Sequence, residues 1–256
     1  MIEIKNLSAG YSEQMVVHNI NLNIQPGEVL VLVGPNGSGK STLLKSMMGF
    51  LEHYDGQIFF DGEEMKTLSP KQIAKRAAFL SQGRNTPSIS GLRMVLHGRF
   101  PYLTYPRRYG KEDYQIARKS MEMTNSSKYE NILVGELSGG ERQSVYLAMT
   151  LAQQTKYIFM DEPTTYLDIH RQLQLLRMAR KLAQEGKAVI LVLHDLVGAL
   201  EVADKVAVLE SGKLLCVDTP EKIYESNILD QVFGVNVHQM ETPHGKKYYL
   251  VPKEVE

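Results

Sequence analysis

The sequence predicts an α/β fold built on a mainly parallel sheet. Three apolar runs, at 29–33, 157–160 and 188–193, have strand length and no polar alternation, as strands buried on both faces of a parallel sheet require. Segments of helical periodicity, 111–123 and 169–184 among them, stand between such runs. That alternation of strand and helix is the mark of a layered α/β domain.

Bulk properties narrow the function classes. The chain has 256 residues, long enough to bury roughly 70–75% of its unfolded surface. Hydrophobic residues make up 43%, too many for a disordered chain. Lys and Arg number 29 and so do Asp and Glu, and the zero balance argues against a general polyanion binder. The lone Cys216 excludes an intramolecular disulfide framework and suits a reducing compartment. The longest apolar runs fall far short of the about 20 residues of a spanning helix. The opening Met-Ile-Glu-Ile-Lys lacks the charged-then-apolar pattern of a signal peptide. A soluble, cytosolic chain is expected. A transporter pore, a secreted scaffold and a histone-like protein are excluded, whereas a soluble part of a membrane machine is not.

The elements follow in order. Alternating residues Ile2, Ile4, Ile20, Leu22 and Ile24, broken by Gly10, Pro26 and Gly27, read as strands joined by turns. The buried strand 29–33 leads through a Gly-rich turn into a helix from about 40 to 48, stopped by Gly49. A strand at 56–61 ends in the turn Asp61-Gly62. Ser69-Pro70-Lys71-Gln72 carries a Ser N-cap, Pro at the first helical position and Gln at the third, and its helix leads into a strand at 77–80. Residues 83–137 hold few apolar runs and many turn signals, as an inserted, mostly helical subdomain would. Beyond them come a helix at 138–154, a strand at 157–160, a helix at 169–184 closed by Gly186 and a strand at 188–193. A hairpin at 206–217 turns on Ser211-Gly212, Thr219-Pro220 starts a helix, and a closing hairpin spans 235–251.

Two features carry chemistry. Gly34-Pro35-Asn36-Gly37-Ser38-Gly39-Lys40-Ser41 fits G-x-x-x-x-G-K-[ST], with a buried strand before it and a helix, beginning with Thr42 among its first residues, after it. Such a loop turns successive N–H groups toward phosphate oxygens, and the helix N-terminus adds partial positive charge. Lys40 is expected to reach the β- and γ-phosphates and Ser41 to ligate Mg²⁺. Asp161 and Glu162 stand at the end of another buried strand, where ligands bind in such sheets. Asp161 suits a Mg²⁺ ligand and Glu162 suits polarisation of an attacking water, although two acids can also merely cap a strand. His194, at the end of the run 188–193, is placed either to hydrogen-bond a γ-phosphate or to be an ordinary strand-end residue.

A further motif makes the pattern specific. Leu137-Ser138-Gly139-Gly140-Glu141-Arg142-Gln143 resembles the signature of ATP-binding cassette (ABC) ATPases. Tyr11, the cradle 34–41, Gln82, the signature, Asp161-Glu162, Leu167-Asp168 and His194 occur in the family's order, so the resemblance covers nearly the whole chain. It implies one ABC ATPase domain over 1–256, with a P-loop NTPase (RecA-like) core and an N-terminal antiparallel β-subdomain. An inserted α-helical subdomain at about 85–155 carries the signature, and a C-terminal helix and hairpin occupy 219–256.

Ser138 with Glu141 forms a capping box, and the same helix start with its two glycines also offers N–H groups to an anion. In this family two cassettes pack head to tail. The resemblance therefore implies two ATP molecules, each with Mg²⁺, between two chains expected to be identical. Ser138, Gly139, Gly140 and Glu141 of one chain would cover the γ-phosphate held by the other. Asp168 would cross the dimer interface, and it also suits an N-cap for the helix after it. Tyr11 resembles the family's adenine-stacking aromatic, though a tyrosine there can also be surface packing. Gln82 resembles the glutamine that senses Mg²⁺ and water, which with Ser41 and Asp161 completes the metal set. Catalysis would fall to Glu162, His194, Gln82 and Lys40.

Two segments point to a subgroup. Thr164-Thr165-Tyr166-Leu167-Asp168-Ile169 and Gly98-Arg99-Phe100-Pro101-Tyr102 are similar to those of cassettes importing iron–siderophore complexes, haem and cobalamin. Glu141 and Ser144 depart from that pattern, where Gln and Arg are usual. The resemblance implies the ATP-hydrolysing subunit of such an importer, peripheral on the cytoplasmic face of the cell membrane. Its partners would be a second cassette, transmembrane permease subunits and, indirectly, an extracytoplasmic substrate-binding protein. An export ATPase and a soluble ABC ATPase acting on nucleic acid or ribosomes are the alternatives. The stretch 99–109 mixes Arg99, Arg107 and Arg108 with Tyr102, Tyr105 and Tyr109. It is open to three readings: a solvated loop, a permease-docking face or a single-strand nucleic-acid surface. The charge balance speaks against the last, and no nucleic-acid partner is expected. The seven histidines show no metal-ligand spacing, and His238 and His244 are expected at the surface.

Overall fold

The computed structural model describes residues 1–12, 14–51, 54–81, 86–165, 167–243 and 245–253. Gln82, Tyr166 and His244 lie outside them. In chain order the elements are β1 (Ile2–Tyr11), β2 (Gln14–Ile24), β3 (Val29–Val33), α1 (Lys40–Met47), β4 (Tyr54–Phe60), β5 (Glu63–Glu64), α2 (Pro70–Arg76), β6 (Ala77–Leu80), α3 (Gly91–Leu96), α4 (Lys111–Met123) and α5 (Gly139–Ala152). There follow β7 (Tyr157–Asp161), α6 (Ile169–Gln184), β8 (Ala188–Val192), α7 (Leu196–Val202), β9 (Lys205–Glu210), β10 (Lys213–Asp218), α8 (Pro220–Glu225), α9 (Ile228–Phe233), β11 (Val235–Thr242) and β12 (Gly245–Pro252). The chain divides into two compact units, Met1–Thr67 with Leu176–Glu256, and Leu68–Leu175.

The first unit contains two kinds of sheet. β1 pairs antiparallel with β2, placing Ile2 opposite Ile24 and Leu7 opposite Ile20. It pairs with β4 on its other side. The alternating isoleucines and leucines are the buried face of this sheet. The other strands run in the order β10-β9-β3-β8, with β3 parallel to both β8 and β9 and β9 antiparallel to β10. Every residue of β3 and β8 is buried, which is why these runs are apolar throughout. β11 and β12 close the chain as an antiparallel hairpin, and His238 lies at its surface, stacked on Tyr249.

In the second unit β6 runs parallel to β7, and α5 packs against α3 and α4. Ser69 caps α2 through the reciprocal bonds of a capping box with Gln72. Helices α3, α7 and α9 and the two-residue β5 are additions to the elements legible in the sequence. The three helices are at most seven residues long, too short to show helical periodicity, and β5 is too short to show alternation.

The stretch 99–109 separates into two populations. Arg99 is only 6% exposed. Its Nε donates to Asp113 Oδ1 at 3.0 Å, and its Nη1 donates to Ala152 O and Gln154 Oε1, both at 3.0 Å. The guanidinium also stacks 4.1 Å from the Tyr102 ring centre, and the Tyr102 hydroxyl donates to Gln153 O at 2.8 Å. Arg99 and Tyr102 thus satisfy the carbonyls at the end of α5. They do not belong to a basic–aromatic surface. Tyr105 is 98% exposed, and Arg107 lies 4.9 Å from the Phe100 ring centre on the outside.

Candidate functional site

The phosphate cradle is built from β3, the turn and α1. Gly39 is the N-cap of α1 with φ 99°, a left-handed conformation that suits glycine. A side chain on it would also strike Val17 Cγ1 at 2.5 Å. A Cβ on Gly34 would collide with Leu209 O and Ser38 Oγ. No side chain caps α1 and no acid lies in its first turn, in contrast to α2, α3, α5 and α7, each capped by the side chain of its N-cap residue. The positive dipole end of α1 thus faces neither a capping side chain of its N-cap residue nor an acid of its own first turn.

Lys40 is 5% exposed. Its Nζ donates to Gly34 O and Pro35 O, each at 2.8 Å, and to Ser38 Oγ at 3.4 Å. Pro35 O also accepts from Ser38 N, and Gly212 N donates to Ser38 O, so β9 and β10 brace the turn. Thr42 is buried and its carbonyl accepts from Ser46 Oγ, which places it in the helix wall. This places a buried ammonium beside the start of α1, a charge suited to a phosphate oxygen.

Two predicted residues join the cradle in the same unit. Leu32 of β3 pairs with Val192 of β8, so Gly34 and His194 both lie two residues beyond that pair, at neighbouring strand ends. His194 is exposed. Tyr11 ends β1, 45% exposed, with Lys45 of α1 beside it. Lys45 Nζ is 3.3 Å from the Tyr11 hydroxyl and 5.7 Å from its ring centre.

The second unit holds the acids and the signature. Asp161 is buried at the end of β7. Glu162, half-buried, has φ 49°, a conformation costly for a long side chain and common at functional sites. Thr165 Oγ1 lies 3.5 Å from Glu162 Oε2, and Thr165 N donates to Glu162 O. The signature helix opens on a full capping box. Ser138 N and Oγ donate to Glu141 Oε2 at 2.9 and 2.8 Å, and Glu141 N donates to Ser138 Oγ at 3.4 Å. Tyr129 adds a hydroxyl bond to Glu141 Oε1 at 2.9 Å. The Ser138 backbone N–H, then the Ser138 and Tyr129 hydroxyls, hold the Glu141 carboxyl below the ordinary glutamate range. Ser138 and Gly139 are exposed, while Gly140 is buried. Asp168 caps α6, accepting from Arg171 N at 2.9 Å.

The sequence and the structure agree with what is known of related chains. The ABC transporter family profile matches residues 17–165. The chain belongs to the ABC transporter family. An ATP-binding protein of petrobactin import, FpuC of Bacillus anthracis, is 37% identical over 100% of this chain and 94% of its own length. An ATP-binding protein of iron(3+)-hydroxamate import, FhuC of Bacillus subtilis strain 168, is 34% identical over 100% of this chain and 97% of its own. Among solved structures, a metal-chelate type ABC transporter in an inward-facing conformation superposes with TM-score 0.84 at 25% identity, covering 99% of this chain and 97% of that one. A dimeric bacterial ABC transporter cassette superposes with TM-score 0.77 at 28% identity, covering 86% of this chain and 99% of that one. The fold is that of an ABC ATPase cassette.

Three participants in this cassette's site architecture escaped sequence reasoning. Lys45 packs on Tyr11, Gln143 reaches from α5 to Pro163 O, and Gln172 reaches from α6 to Leu167 O. Only Gln143 left a trace, as the last residue of the signature string.

Proposed function

We propose that this cassette is the ATP-hydrolysing subunit of an importer for an iron–siderophore or a related metal chelate such as haem or cobalamin. The observation that carries the reading is that import ATP-binding proteins named for petrobactin and for iron(3+)-hydroxamate align with the chain over its whole length. The metal-chelate type transporter supports it at the level of structure.

In this reading two copies pack head to tail and hold two ATP molecules. The amides of 34–42 bind the β- and γ-phosphates, and Lys40 exchanges its loop carbonyls for phosphate oxygens. Tyr11 stacks on adenine. The Ser41 hydroxyl and the Asp161 carboxylate are oxygen donors of the kind a hard Mg²⁺ takes, with Gln82 as the third. Bound Mg²⁺ neutralises charge on the phosphates. Glu162 accepts a proton from water as the water oxygen bonds to the γ-phosphorus and the bond from that phosphorus to the β-γ bridging oxygen breaks, leaving ADP and phosphate. His194, Lys40 and the other copy's residues 138–141 stabilise the charge on the transferring group. Asp168 lies at the dimer interface.

Among the described residues no helix is long and apolar enough to cross a membrane. The reading places the cassette on the cytoplasmic face of the cell membrane, bound to permease subunits and acting indirectly with an extracytoplasmic binding protein. Purification from detergent-solubilised membranes tests it. The expected result is co-purification of a polytopic permease, with phosphate release from ATP that rises when the chelate and its binding protein are added. Recovery with a nucleic acid or a ribosome, or with an exporter that chelate does not stimulate, overturns it.

A further inference from the structure

Residues 162–168 join β7 to α6 and carry both Glu162 and Asp168. Two glutamine amides hold this loop. Gln143, in the second turn of α5 and 9% exposed, donates from Nε2 to Pro163 O at 2.8 Å. Gln172, in the first turns of α6, donates from Nε2 to Leu167 O at 3.0 Å and to Thr164 O at 3.4 Å. The Gln143 bond is the buried one. Breaking it leaves a carbonyl without its partner in the interior, which costs more than the bond's net worth. Pro163 follows Glu162 directly and its ring fixes φ, which removes one of the two backbone rotations between the Glu162 peptide and the Pro163 carbonyl. Glu162 itself sits at φ 49°, a conformation that persists only where its surroundings hold it.

α5 begins at the signature. Its start is fastened by the Ser138–Glu141 capping box and by Tyr129. Gln143 lies on that element, and its amide ends on the residue next to Glu162.

We propose that Gln143 is a positioning residue that ties the signature to the Glu162 loop of the same chain. It makes hydrolysis in one ATP site depend on nucleotide in the other. This rests on the head-to-tail dimer reading above. Engagement of the signature with the other copy's γ-phosphate shifts α5, and Gln143 passes the shift through Pro163 to Glu162. Gln143 touches no nucleotide in this scheme.

The test measures phosphate release against ATP concentration for the wild-type chain, Gln143→Met and Gln143→Glu. Affinity for a fluorescent ATP analogue and thermal unfolding are measured in parallel. Methionine keeps length and volume but has no donor. The expected result for Gln143→Met is turnover lower by about tenfold, the equivalent of about 1.4 kcal/mol in the barrier. ATP affinity stays within about twofold, and the Hill coefficient falls from above 1 toward about 1. For Gln143→Glu, the protonated carboxyl donates to Pro163 O and the carboxylate does not. Its turnover relative to Gln143→Met therefore rises as pH falls.

A wild-type Hill coefficient of about 1 overturns the coupling. So does an unchanged coefficient in Gln143→Met, or a loss of turnover that only tracks a loss of folded protein, with parallel pH profiles for the two variants. Wild-type chain that releases no phosphate overturns the ATPase reading itself, and the coupling falls with it. The first three outcomes leave that reading standing.

Discussion

At the scale of the residue, two buried cations show how one charge type serves two ends. Lys40 is held by the carbonyls of Gly34 and Pro35 at the start of α1, and in the proposed reading it exchanges them for phosphate oxygens. Replacing it with alanine removes a charged donor worth about 1.5–3 kcal/mol per hydrogen bond. The expected outcome for Lys40→Ala is ATP affinity weaker by more than about tenfold, read by equilibrium titration and scaled to the folded fraction from a parallel melting curve. Unchanged affinity would count against the cradle.

Arg99 is committed to the fold. Its bonds to Asp113, Ala152 O and Gln154 engage Nε and Nη1, and Arg99 is buried while Asp113 is partly so. Arg99→Met is expected to destabilise by about 1–3 kcal/mol, because it leaves the buried Ala152 carbonyl without its donor, while Asp113 keeps its bond from Gly110 N. Arg99→Lys should not rescue it, since an ammonium cannot reproduce the planar fork stacked on Tyr102. Urea unfolding measures both. The identity of Arg99 was legible in the sequence, but its role was not. A basic residue among aromatics reads the same whether it faces water or the end of a helix.

At the scale of the element, the signature helix has a pH signature of its own. The carboxyl of Glu141 is held below its ordinary range in the folded chain. A depressed folded pKa means that its contribution is complete above the unfolded value, about 4.3. The contribution is lost as pH falls through the lowered folded value. Stability should therefore drop on that acid limb in the wild-type chain. In Glu141→Gln the limb should be shallower, with the capping geometry otherwise kept. Ser138→Ala removes the cap and is expected to cost about 1 kcal/mol at neutral pH. Thermal unfolding across the acid range checks all three, and identical limbs for wild type and Glu141→Gln would contradict the assignment.

Long elements and capped elements were the legible ones. α4 and α6 begin and end where periodicity puts them, and the capping boxes of α2 and α5 are visible as Ser-x-x-Gln and Ser-x-x-Glu. The short helices α3 and α7 were not, because each is fixed by one capping side chain and by tertiary contacts, and propensity does little for six or seven residues.

At the scale of the whole molecule, balanced charge suits a subunit that binds phosphate with a few placed groups. Bulk positive potential is not needed. In the proposed assembly Glu162→Gln removes the base while keeping a side chain of the same shape. It is expected to hold ATP without hydrolysing it and to accumulate as a dimer of twice the monomer mass, read by light scattering with and without ATP. Wild-type turnover by Glu162→Gln would sink the assignment of the base, and a monomer in saturating ATP would sink the head-to-tail assembly.

The sequence by itself determined the fold class, the order of the long elements and the family, because each depends on local spacing: buried strands need continuous apolar runs, and the family's motifs are short strings in a fixed order. Tertiary structure alone decided what the local pattern left open. It turned Arg99 inward, laid Lys45 against Tyr11, forced Glu162 into a left-handed backbone and joined Gln143 to Pro163. The physical reason is that a hydrogen bond between groups far apart in sequence has no period and no neighbour preference. It exists only once packing has brought a buried donor and a buried acceptor within reach.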